Sequence, residues 1–156
     1  MTTYRTLLNL SLIASALALS ACASGPMASS APTAAASSSI AMTGTLSGAK
    51  QVPPNTSAGT GTVQSSFDKT TSMLSWTVTY SGLSGPVRAG HFHGPAAAGA
   101  NAGVALGFTG AMDSPIKGSA VLTAAQAADL MAGKWYVNLH TAANPGGEIR
   151  GQVEAK

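Results

Sequence analysis

Apolar and hydroxyl side chains alternate from residue 74 to residue 80. Leu74, Trp76, Val78 and Tyr80 share one parity, and Ser75, Thr77 and Thr79 the other. A period of two marks a strand buried on one face. Similar short runs predict strands at 43–50, 61–67, 87–93, 104–108, 116–122, 134–141 and 148–153. Gly82, Gly85 and Pro86 punctuate two of them, and Asn144-Pro145-Gly146-Gly147 supplies the last turn. The pattern shifts to a helical one only once. Thr123 and Gln126 fit a capping box, Ala127, Leu130 and Met131 form an apolar stripe, and Gly133 follows as a terminator. These elements predict an all-β fold, a single antiparallel β-sandwich of about seven or eight strands with one short helix near 123–132. The apolar strand residues, Leu106, Val121 and Leu122 among them, are expected to form its core.

Before residue 40 the pattern is different. Arg5 precedes an apolar stretch running from Leu7 to Ala21, interrupted by Asn9, Ser11 and Ser15. That is the layout of a secretory signal peptide over 1–21, too short and too broken for a span of about 20 apolar residues. Leu19-Ser20-Ala21-Cys22 resembles the bacterial lipobox, and Cys22 is the only cysteine. A lone thiol in an exported chain cannot close an internal disulfide, and lipidation of Cys22 accounts for it. Residues 22–39 are small, uncharged and punctuated by proline, a composition that cannot bury enough surface to order itself. They read as the lipidated cysteine and a flexible tether, leaving 40–156 as the folded domain. By resemblance to Gram-negative lipoproteins, Ala23 and Ser24 without an aspartate imply the outer membrane, with the domain in the periplasm or at the cell surface.

Composition narrows the partners. The chain has 156 residues, of which 8% are charged, against 19 Ser and 16 Thr. Eight basic residues scattered singly cannot make the dense stripe that phosphate-backbone binding needs, so no nucleic-acid partner is expected. The expected partners are the membrane, through the lipid, and an envelope protein or a metal ion.

The chemistry-bearing residues are few. His91 and His93 are two apart on one predicted strand and so share a face. In 135–140, Trp135, Val137 and Leu139 take one face while Tyr136, Asn138 and His140 take the other. If the strands are neighbours, His91, His93 and His140 present three imidazoles to one metal, and neutral imidazole suits Cu or Zn. The competing reading has these histidines bonding backbone carbonyls at strand ends. Glu148 and Arg150 alternate with Ile149 and are read either as a solvated ion pair or, for Glu148, as an acceptor orienting a histidine. No Gly-x-Ser-x-Gly elbow is present, and Asp68, Asp113, Asp129, Glu148 and Glu154 are the only acids. A non-catalytic role is therefore expected, with a metal-dependent enzyme as the remote alternative.

Four segments taken together resemble the CHRD domain, the family named for the repeats of chordin. They are Leu46-Ser47-Gly48-Ala49-Lys50-Gln51-Val52-Pro53-Pro54, Gly90-His91-Phe92-His93-Gly94, Tyr136-Val137-Asn138-Leu139-His140-Thr141, and Pro145 through Val153. The resemblance covers about residues 43 to 153. It implies an extracytoplasmic binding or surface module, and the family's recurrent histidines correspond to His91, His93 and His140. A pair of histidines on a sandwich strand is also similar to Cu/Zn superoxide dismutase, but this chain has one cysteine and three histidines, so it has neither that enzyme's disulfide nor its larger ligand set.

Overall fold

The computed structural model describes residues 38–156. The leader, Cys22 and the tether up to residue 37 lie outside the described residues. Eight strands and one helix follow in the order β1 (Ser39–Ser47), a 3-10 turn (Gly48–Lys50), β2 (Thr60–Asp68), β3 (Met73–Ser81), β4 (Val87–His93), β5 (Val104–Gly107), β6 (Ile116–Val121), α1 (Ala124–Met131), β7 (Trp135–Thr141) and β8 (Ile149–Ala155). A strand is present at each predicted position, although the first ends at Ser47 and 48–50, expected within it, form the 3-10 turn. β1 begins at Ser39 rather than at 43 because Ile40 and Met42 continue its alternation.

The strands form one antiparallel sheet in the order β5-β4-β7-β8-β1-β2-β3-β6. That sheet curls over itself into the expected sandwich. Trp76 on β3 packs edge-on against Phe92 on β4, ring centroids 5.3 Å apart, although their strands lie near opposite ends of the order. Phe108, just beyond β5, stacks on Trp76 at 5.4 Å and closes the same cluster. Each such ring buries a large apolar area, and their edge and stacked contacts add to that burial. Room for them is made by small neighbours: a Cβ on Gly118 would lie 2.3 Å from Trp76 Cζ2.

The core differs from the sequence expectation where alternation decides. Ile116 is 1% exposed and Leu122 4%, but Val121 is 65% exposed. Alternation from the buried Ile116 turns Val121, the last residue of edge strand β6, outward, and Leu122 just beyond the strand turns inward. Leu106 is only partly buried, and Met42, Val87 and Leu130 complete the core instead. Leu130 is the buried residue of α1, whose Thr123–Gln126 capping box forms as predicted, with Gln126 N–H donating to Thr123 Oγ1 at 3.2 Å.

β7 is the exception to one-faced burial. Trp135 through Leu139 are all buried. Two loops cover its polar face. The loop after β4 donates Ala96 N–H to Lys134 O at 2.8 Å, and Asn55, from the loop after the 3-10 turn, donates to Glu148 O at 3.0 Å. Among the described residues no helix is long and apolar enough to cross a membrane.

Candidate metal centre

β4 and β7 are neighbours, and their register puts the three histidines together. His91 pairs with Asn138, His93 with Tyr136 and Ala89 with His140, so 89, 91 and 93 share a face with 136, 138 and 140. His140 is therefore diagonal to His91. One nitrogen from each of His91, His93 and His140 lies within 4.8 Å of the others, and all three residues are half-buried.

The hydrogen bonds fix which nitrogens carry protons. His93 Nδ1 lies 3.0 Å from Ala102 O, and His140 Nδ1 lies 2.9 Å from Pro145 O. A carbonyl only accepts, so both Nδ1 atoms carry hydrogen and both Nε2 atoms present lone pairs. His93 Nε2 is buried without any partner, an orphaned acceptor inside the cluster. His140 Nε2 faces His91 Nδ1 at 3.2 Å, so with no ion bound His91 Nδ1 is the donor. The carbonyl bonds expected of strand-end histidines are thus present at His93 and His140. They orient two rings so that His93 Nε2 is left without a partner while His140 Nε2 accepts from His91 Nδ1. A backbone carbonyl on the far nitrogen is a common way to fix a ligating imidazole's tautomer.

Burial and neighbouring charge favour the neutral form of His91 and His93. Burial, then the charges His140 and His93 would carry, pull His91 below the usual 6.5. Burial also pulls His93 down, with His140 and Arg150 adding to it and the Ala102 carbonyl opposing. Neutral imidazole is the metal-binding form. Opposite His91 on β5 stands Gly107, which puts no side chain over that ring.

The CHRD domain model matches residues 42–153, from β1 to β8. The chain belongs to the CHRD domain family. No curated protein and no solved structure matches it.

In this CHRD domain Glu148 and Arg150 do not pair with each other and are not solvated. Glu148 is 0% exposed and Arg150 2%. The Glu148 carboxylate accepts from Ser57 Oγ at 2.7 Å, Ser84 N–H at 2.8 Å, Ser84 Oγ at 2.6 Å and Thr141 Oγ1 at 2.5 Å. Burial by itself would raise its pKa, but these donors outweigh it and bring the group from 4.5 to about 2. None of its partners is a histidine, so the alternative in which Glu148 orients one is not what the structure holds. It ties three loops together. Gly147, at φ +125°, makes the turn that delivers it, with Asn138 packed where a Cβ would stand.

Arg150 instead lies over Tyr136, its Cζ 3.4 Å from the ring centroid. Tyr136 is stacked in parallel on His93, with an interplanar angle of 4° and centroids 4.9 Å apart. β4 and β8 flank β7 on opposite sides, so His93 and Arg150 occupy the two faces of the Tyr136 ring. Tyr136 OH accepts from Ala102 N–H at 3.1 Å, and Asn138 Oδ1 accepts from Gln51 Nε2 at 2.7 Å. Tyr136 and Asn138 thus share the histidine face as predicted, under loops that the sequence did not reveal. Ser57 and Ser84 were missed altogether, since nothing local separates them from the other serines.

Proposed function

We propose that this CHRD domain is a non-catalytic, extracytoplasmic binding module whose ligand is one Cu or Zn ion held by His91, His93 and His140. The observation that carries the reading is the buried, unpartnered His93 Nε2 in a cluster where one nitrogen of each of three histidines lies within 4.8 Å of the others. Three neutral imidazoles at this spacing suit Zn and Cu. The role is one of metal handling. The leader pattern and Cys22 support export and lipid anchoring to a Gram-negative outer membrane, with the domain in the periplasm or at the cell surface.

Calorimetric titration of the metal-free protein with Cu(II) and Zn(II) tests the site. One ion per chain is expected, with binding abolished in His91→Ala and His140→Ala. Affinity weaker than about 1 mM in the unaltered protein would end the metal reading. Anchoring is tested separately by fractionation: Cys22→Ser should release the protein from membranes or block its processing, and unchanged fractionation would remove the lipid from the account.

A further inference from the structure

Thr43 pairs with Glu154, and Tyr136 with Gln152, so the histidine face continues across β8 to β1. There it borders a groove of about 700 Å³ lined by residues that include Ala49, Lys50, Val52, Pro54, Arg150 and Glu154. That volume lies in the range of small-molecule sites.

Arg150 is the unusual member. It is 2% exposed, and no carboxylate of the described residues lies within ion-pair distance of it. Burying a cation without a counter-ion is unfavourable. Its Nη1 donates to Asn101 Oδ1 at 2.9 Å and its Nη2 to Ala100 O at 2.6 Å. Those two bonds and the Tyr136 stack hold the guanidinium rigidly and pin the loop after β4. They account for two of its five N–H donors, and the others are uncommitted on a group that lines the groove. A fixed guanidinium fork matches a planar carboxylate in two-point contact.

Lys50 adds positive charge, but its ammonium is engaged by Thr45 O and Thr45 Oγ1. The carboxylate of Glu154 disfavours a second negative charge on the same ligand. Ala49, Val52 and Pro54 offer apolar surface for the remainder of the molecule.

We propose that the groove binds a small organic monocarboxylate, its carboxylate on Arg150 and its apolar body against Ala49, Val52 and Pro54. This site does not depend on metal at the histidines.

The test is amide-resolved NMR titration of the full-length chain with hexanoate, its neutral isostere hexanamide, and phenyl phosphate. Hexanoate should shift Thr45, Gln51, Gly99 and Gln152 in a saturable way, and hexanamide should bind at least about tenfold more weakly. Arg150→Lys should weaken hexanoate by a similar factor. Because Arg150 also anchors a loop, Ala49→Glu is the second variant. Ala49 is exposed and lines the groove, so a glutamate there fills its apolar part and adds negative charge, and hexanoate binding should vanish while the spectrum elsewhere is preserved. Equal binding of hexanoate and hexanamide, or full binding by Ala49→Glu, would overturn the proposal. Tighter saturation by phenyl phosphate would overturn the carboxylate assignment.

Discussion

Replacing Glu148 by Gln removes the charge at the point where the loops around residues 57, 84 and 141 converge. Its four hydrogen bonds come from three hydroxyls and one backbone N–H, all donating to carboxylate oxygen. An amide keeps one acceptor oxygen and turns an NH₂ group toward donors. The folded carboxyl titrates at about 2 instead of 4.5. At roughly 1.4 kcal/mol per unit this is on the order of 3 kcal/mol. A depressed carboxylate pKa stabilises the fold above the unfolded value and loses that contribution as pH falls through the folded one. The unaltered domain should therefore lose about 3 kcal/mol between 4.5 and about 2 that Glu148→Gln does not lose. Urea unfolding followed by the fluorescence of buried Trp76 and Trp135, measured on both proteins across that range, reads the difference directly. Asp68, held low by the Thr70 and Thr71 N–H groups, titrates in both proteins and cancels. The variant should be less stable at neutral pH and converge with the parent in acid. A stability gap that stays constant down to about pH 2 would refute the assignment of that charge to the loop network.

Zn(II) at a hundredfold excess over its Kd should stabilise the domain by about 2.7 kcal/mol, and chelation should reverse the gain in thermal melts. Because His91 and His93 are held below 6.5, their protonation should weaken binding as pH falls below that value, which zinc competition at several pH values would read. Gly118→Ala forces a Cβ against Trp76 and should cost about 1–3 kcal/mol in urea unfolding, whereas a neutral outcome would mean the ring has room to move. Thr123→Ala removes the cap of α1 and should cost about 1 kcal/mol by the same assay. Val121→Thr, on the outer face of β6, should leave stability within about 0.5 kcal/mol.

Local patterning carried a great deal. The alternation through Leu74–Tyr80 appears as β3, and the Thr123–Gln126 spacing appears as a capping box, because both depend on contacts within a few residues. Where two apolar neighbours competed for the inside, as with Val121 and Leu122, sequence could not choose, since the choice follows from which face of β6 meets Trp76. The Glu148–Arg150 spacing suggested a surface pair for the same reason. Alternation reports which face a residue takes and says nothing about which loops later cover that face.

By itself, then, the sequence determined the strands, the helix and its cap, and the three histidines as the only imidazoles available. The tertiary structure decided that β4 lies beside β7, which brings His140 to His91 and His93, and that two loops bury the polar face of β7. It also decided that Glu148 and Arg150 take different partners. The physical reason is range: strand and helix signals are set by near neighbours, while strand order and loop cover are set by how the whole sheet curls to bury Trp76, Phe92 and Phe108.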